Sequence, residues 1–563
     1  MKVARWWIPG AALLLLGLAG PSWAEDTAEA AGQQQAEEGQ VDTDAMFEYL
    51  LAEVAAQRGD TEGAIAIYQR LARDMKDPAI AKRAVETAIR ARAFGPAMES
   101  ASLLLELDPE SSLAREIIAA LLANEGDLDK ARDNLAALLA KAQDRAPMLM
   151  QLSALLGKFP DKAAVLAAVR QLTAAYPVAE SRYAIGVAAL VAGQPDTATA
   201  EVDAALQMRP GWEQAAILKA QVLRRTSPGQ VIPFYQSFVA ANAGANEVRM
   251  QLGRELAAEH KVAEARDQFR EVEKRAKDDP QASYAVGLLS LQLDDYASAQ
   301  EAFERALKEK YREPTAVYLG LGQAAEGLKQ YEEAIRWYQK VDAGDWIRAQ
   351  LKIATLITRT QGLAAGRDYL QHIDARTTDD KVQIIQVEAQ LLRDAKEWQE
   401  TYDMLSKAVD EYPDSYELLY DRAMAAERVN KLDVLEADLR KVIKMKPDYA
   451  HAYNALGYTL ADRTNRLAEA KELIDKAYKL APDDPFILDS LGWVYYRLGN
   501  NNEALKYLQI AYSSRSDPEI AAHLGEVLWS GGKHDEAQKI WRDALVENPG
   551  HEALLAVMQK HQP

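Results

Sequence analysis

The sequence predicts an all-α solenoid, a right-handed superhelix of about fifteen helix–turn–helix repeats over residues 45–550. Three observations carry this. A small residue, usually Gly or Ala, recurs every 32 to 35 positions: Ala52, Val85, Ala119, Ser153, Gly186, Lys219, Gly253, Gly287, Gly322, Ala354, Ala389, Ala423, Gly457, Gly492 and Gly525, with Val85 and Lys219 the large exceptions. Twelve positions on (thirteen after Gly457), ten of these fifteen copies hold alanine: Ala64, Ala97, Ala131, Ala198, Ala265, Ala299, Ala334, Ala470, Ala504 and Ala537. Four residues further a bulky group follows, as in Tyr68, Phe303, Tyr338 and Trp541. Antiparallel helices approach closely only where side chains are short, so small residues in register with a large one mark a repeated, packed helix pair.

Taken in order, residues 1–24 read as a secretory signal peptide. Lys2 and Arg5 give a positive start, Trp6 to Ala19 an apolar run, and Ser22-Trp23-Ala24 a small-x-small cleavage site. The run spans only about 21 Å as a helix, short of a bilayer core of about 30 Å. Cleavage after Ala24 takes the formal charge from −19 to −21 and leaves no transmembrane segment. Residues 25–44 carry seven carboxylates, Gln33-Gln34-Gln35 and no basic residue, and read as a flexible acidic leader. An acidic chain repels phosphate backbones, so nucleic acid is not an expected partner.

The repeats then follow to residue 550. Their period resembles the tetratricopeptide (TPR) pattern, a helix, a turn and an antiparallel helix, and the resemblance covers residues 45 to 550. Prolines near the repeat ends, Pro109, Pro177, Pro210, Pro413, Pro447, Pro482 and Pro549, stop the second helices because they lack a backbone donor. A single unit of 34 residues cannot offset an ordering cost of about 50 kcal/mol, so its stability must come from its neighbours. The period is weakest between Gly211 and Asn246, where Thr226-Ser227-Pro228-Gly229 interrupts it, which leaves a degenerate repeat or a hinge open. The copy around Gly362 to Gly366 is irregular too. Residues 551–563 read as a capping helix, His551 to Lys560, and a tail.

Chemistry-bearing motifs are missing. The chain has no cysteine, which excludes disulfides, thiolate metal sites, a cysteine nucleophile and a lipid anchor on cysteine. Its seven histidines form no HExxH, and no GxSxG or GxGxxG occurs. Gly531-Gly532-Lys533 lacks the first glycine of a phosphate loop, since Val527 stands there, and reads as a turn. The expectation is a non-enzymatic protein with no cofactor and no metal.

What remains is a surface. In such a stack the first helices line the inner groove, and positions beside the small anchor point inward. In the C-terminal copies these are Tyr420, Met424, Glu427 and Arg428; Asn454, Tyr458 and Asp462; Phe486, Asp489, Trp493, Tyr496 and Arg497; and Glu526 and Trp529. Aromatic and arginine side chains mixed with carboxylates are what a protein-binding groove uses as anchors. Some of the aromatics, Tyr458, Trp493 and Tyr496 among them, would serve equally well as packing between repeats. The basic and asparagine pattern that clamps a terminal carboxylate is not matched.

One stretch is more specific. NALGYTLADRTNR, APDDPFILDSLGWVYYRLGN and AAHLGEVLWSGGKHDEA, within His451 to Trp541, resemble a proteobacterial family of exported TPR proteins. That family includes an outer-membrane lipoprotein adaptor that partners a periplasmic carboxyl-terminal processing protease. The resemblance implies a periplasmic adaptor, peripheral at the outer membrane or free, that switches on such a protease and brings it cell-wall hydrolases. The family's lipid anchor needs a cysteine that this chain lacks. An alternative is a TPR scaffold for envelope polysaccharide or for outer-membrane assembly and export.

Overall fold

A computed structural model describes residues 43–125, 127–142, 144–276 and 279–561. Residues 1–24, read as a signal peptide, and nearly all of 25–44, read as an acidic leader, lie outside these residues. The first helix, Thr43–Gln57, starts two residues before the expected array boundary. Among the described residues there are 31 α-helices, two 3-10 turns and no strand, and the fold is an all-α solenoid of helix pairs. The chain divides into two compact units, Met1–Pro210 and Gly211–Pro563.

In the first unit the helices run from Thr43–Gln57 to Pro195–Met208. Ala64, Ala97, Ala131 and Ala198, the small residues of the second helices, are all buried. The Tyr68 ring beside Ala64 is fully buried and meets Tyr49 edge-on at 5.5 Å.

In the second unit the reason for the period is plain at each glycine. A Cβ on Gly253 would lie 2.7 Å from the Phe269 ring, and one on Gly287 2.6 Å from Phe303. Gly322 faces Tyr338, and Gly525 faces Trp541, more tightly still. At Gly457 and Gly492 the facing groups are Ile474 and Leu508, each at 2.6 Å. The bulky residue of each second helix thus seats where the first helix has no side chain. Any side chain there would overpack a full core.

The turn inside a repeat is equally regular. Seven positions after the anchor the backbone enters the left-handed region at His260, Asp294, Lys329, Lys396, Asn430, Gly499 and Gly532. One left-handed residue reverses the chain at a helix C-terminus. The copy at Gly457 instead has an extended Thr464 in that place, and its longer loop accounts for the alanine displaced to position thirteen. Six of the seven repeat-ending prolines lie two residues past a helix, as Pro413 does after Trp398–Glu411, and Pro177 lies four past Lys162–Thr173.

Residues 211–246 form a helix pair. Glu213–Thr226 and Val231–Ala241 are joined by a 3-10 turn at Pro228–Gln230. Lys219, in the place of a small residue, lays its ammonium over the Phe234 ring at 5.1 Å. Near the second irregularity, Gly362 at φ 97° ends one helix and begins the next, Leu363–Gln371. The last helix, Glu552–Lys560, brings Leu554 fully buried into the cluster around Trp541.

Candidate functional site

Four successive first helices build the site: Tyr416–Arg428, Ala450–Arg463, Pro485–Arg497 and Pro518–Ser530. Local chemistry starts three of them. The Ser415 hydroxyl accepts from the Leu418 amide at 3.3 Å. The Asp484 carboxylate accepts from the amides of Phe486 and Ile487 at 2.9 and 3.1 Å, and Asp517 from Glu519 at 2.9 Å. Pro485 and Pro518 open the last two, where a missing N–H costs nothing. The four helices therefore begin at matched positions and present matched faces.

Positions six and three before the anchor and one after it lie on one helical face, because steps of three and four residues follow the 3.6-residue turn. That face lines a cleft of about 280 Å³ walled by Tyr420, Met424, Glu427, His451, Asn454, Ala455, Tyr458, Thr459, Phe486, Asp489, Ser490, Glu519 and His523. No lysine or arginine is among them.

At one end of the cleft His523 ties three helices together. Its Nδ1–H donates to Asp489 at 2.9 Å, and its Nε2 faces the Tyr458 hydroxyl at 3.3 Å. The ring stacks on Trp493, centroids 4.3 Å apart, and Trp493 Nε1–H donates to Asp462 at 3.3 Å. Burial pulls the imidazole pKa down, but the Asp489 carboxylate outweighs it, and the net shift is upward. Burial first, then the carboxylates of Asp462, Asp489, Glu519 and Glu427, push the Tyr458 phenol far above its ordinary value. Asp489, His523 and Tyr458 thus form a hydrogen-bonded row whose hydroxyl resists losing its proton. Such a row orients rings and makes a poor nucleophile.

Models of the tetratricopeptide repeat match residues 47–74, 250–307, 287–346, 420–485 and 490–552. The chain carries TPR repeats over these segments. It is similar to the TPR repeat-containing protein PA4667 of Pseudomonas aeruginosa, 41% identical over 212 residues, which is 38% of this chain and 36% of that protein. It is also similar to bacteriophage adsorption protein A of Escherichia coli, 24% identical over 206 residues, 36% of this chain and 20% of that protein. The chain therefore spans only about a third or less of the length of these curated relatives. Among solved structures, a TPR protein of Thermus thermophilus overlaps 30% of this chain and 92% of its own at 22% identity, with a TM-score of 0.28. TPR arrays are protein-interaction scaffolds that bind protein partners.

The fourteen residues expected in the groove fall into four groups. Tyr420, Met424, Glu427, Asn454, Tyr458, Phe486 and Asp489 line the cleft together. Asp462, Trp493, Tyr496 and Arg497 adjoin it: Trp493 meets Tyr496 at 5.2 Å, and the Arg497 guanidinium donates to the backbone carbonyls of Ala461 and Asp462, the latter at 2.8 Å. Arg428 points elsewhere, over the Trp398 ring at 5.2 Å. Glu526 and Trp529 occupy the same face in the last repeat, but the chain's own end covers them. Lys560 and His561 each reach Glu526 at 2.7 Å, and Trp529 packs on Trp541 and His561 at 5.8 and 5.1 Å.

His451, Glu519 and His523 were missed as lining residues. The first two sit six positions before their anchors, as Phe486 does, so the helical period reaches them. His523 lies two before Gly525 and off that period, and its bonds to Asp489 and Tyr458 and its stack on Trp493 bring it in. Among the described residues no cluster of His, Cys, Asp or Glu is arranged to hold a metal, and no helix is long and apolar enough to cross a membrane.

Proposed function

We propose that this chain is an exported, non-catalytic adaptor that holds an extended segment of a partner protein in the cleft between the Tyr416–Arg428 and Pro518–Ser530 helices. One observation carries the reading: four consecutive first helices turn the same face, with Tyr420, Tyr458 and Phe486 on it, toward one open cleft. Exposed aromatic surface beside polar groups is the make-up of a protein-binding hot spot. The resemblance of residues 451–541 supports a finer version. In it the partner is a periplasmic carboxyl-terminal processing protease, and the array raises the effective concentration of cell-wall hydrolases near it.

The test is a photo-crosslinking amino acid at Tyr458, with exposed Glu472 on the Leu467–Leu480 helix as a control. Exposed to an envelope extract, the Tyr458 probe should capture a serine protease and wall hydrolases, and the Glu472 probe should not. Capture of polysaccharide-synthesis or assembly proteins would replace the protease reading with the scaffold alternative. Equal capture at both positions would remove the cleft from the account.

A further inference from the structure

Inner-face carboxylates in the second unit generally have a cation. Lys352 reaches Glu326 at 3.0 Å, Arg393 lies 3.6 Å from Asp421, and Lys560 sits 2.7 Å from Glu526. Glu427 and Glu519 differ. Glu427 accepts only a long bond from Thr459, at 3.5 Å, and neither pairs with a lysine or arginine among the described residues, the cation that feels Glu519 being the His523 imidazole. The two arginines nearest Glu427 are engaged elsewhere: Arg428 lies over Trp398, and Arg463 donates to Asn430 at 2.9 Å. Burial lifts the Glu427 pKa above its usual value against the pull of both arginines, and repulsion from Glu519 adds to it.

We infer that the cleft receives a cationic side chain, arginine or lysine, from the bound segment, with its charge between Glu427 and Glu519 and its stem along Tyr458. The last repeat supplies the precedent within this chain. There the same helical face is already filled, and what fills it is the ammonium of Lys560 on a carboxylate, with the His561 ring against Trp529. A cation in the open cleft relieves a like-charge contact and adds attraction to an aromatic face. The inference rests on the cleft being a polypeptide site. Crosslinking from Tyr458 decides that reading independently of the charge of the segment.

The charge is tested by immobilising the full chain and offering an equimolar mixture of nonapeptides, randomised except for a central arginine, lysine, citrulline or glutamate. Mass spectrometry of the retained peptides should show arginine and lysine enriched about tenfold over citrulline at low ionic strength. Glu427→Gln/Glu519→Gln should reduce that preference to below about twofold with helicity unchanged by circular dichroism. Glu472→Gln/Asp483→Asn removes the same charge outside the cleft and should leave the preference intact. Equal recovery of citrulline and arginine, enrichment of glutamate, no retention of any peptide, or a cationic preference that survives the Glu427/Glu519 change would each overturn the inference. Retained crosslinking at Tyr458 in those cases would show that the cleft binds polypeptide by other means.

Discussion

The first helix of the last repeat and the three before it turn the same face inward, yet that face is closed around Glu526 and Trp529 and open around Glu519 and His523. At the closed end Glu526 is 5% exposed, and Lys560 and His561 pair with it. At the open end Glu427, Asp489 and Glu519 share a cleft lined by no lysine or arginine. The Glu552–Lys560 helix and His561 pack on the last repeat with the charge and ring chemistry that an inner face accepts. The contrast separates residues that hold the array together from residues free to hold something else.

The sharpest way to break the comparison is at the closed end. Trp541 is 1% exposed, stacks on Trp529 and donates its indole N–H to the Ala522 carbonyl at 3.3 Å. Trp541→Ala should cost about 3–5 kcal/mol. In a quasi-one-dimensional array that loss stays near the mutated repeat. Hydrogen exchange should therefore accelerate over Pro518–Lys560 and stay unchanged over Tyr416–Met445. Acceleration across both would mean that the two ends are one cooperative block.

Glu526→Gln is a smaller blow. It removes two charge-assisted bonds at 2.7 Å, but Lys560 is 65% exposed and returns to water easily. The loss should be about 1 kcal/mol, well below that of a fully buried pair, and appear as faster exchange in the Glu552–Lys560 helix. Burial pushes the Glu526 pKa up, but the pairings with Lys560 and His561 prevail, and it lies below the usual carboxylate range. A depressed carboxylate stabilises the folded state above its unfolded pKa, and the contribution fades as pH falls through the folded value. The cap should loosen in acid, and Glu526→Gln should remove that pH dependence.

The repeats are legible because their constraint is local and steric: Gly525 must leave room for Trp541, and Gly287 for Phe303. The Asp-Pro pairs at 77–78, 279–280, 484–485 and 517–518 are further start signals, each an acceptor for the first free amides followed by a residue with none to offer. The inner turn is harder to read, since its left-handed position accepts Lys, His, Asp and Asn as well as Gly. Half of the site follows from helical period, as Tyr420, Asn454 and Tyr458 illustrate. The period cannot say that Glu526 and Trp529 are covered, because that depends on where the final helix docks. Nor does it reach His523, whose role comes from three neighbouring helices.

His523 sharpens the comparison through pH. Facing it are Tyr458 and Asp462 from one helix, Asp489 and Trp493 from the next, and Glu519 from its own. A histidine whose folded pKa is raised stabilises the protein fully below the unfolded value of about 6.5 and loses that contribution as pH rises through the folded value. Thermal melts of the full chain should therefore show the C-terminal repeats weakening from neutral toward alkaline pH, the reverse of the cap at Glu526. His523→Gln should flatten the alkaline limb and leave the acid limb in place. An alkaline limb that persists in the variant would assign it to another group.

The smallest expected effect isolates the cleft itself. Tyr458→Phe keeps the ring and removes one hydroxyl that faces His523 Nε2 at 3.3 Å, so stability should fall by no more than about 1 kcal/mol. The Asp489 bond at 2.9 Å still holds the imidazole from its other side, and the Trp493 stack is untouched. Removing the hydroxyl leaves both carboxylates that would receive a cation, so the preference for arginine over citrulline should survive in Tyr458→Phe. Tyr458→Ala also removes the apolar wall and should weaken all peptides alike. A loss of charge preference in Tyr458→Phe would instead mean that the hydroxyl, held protonated by burial and its acidic neighbours, is part of what the cation meets.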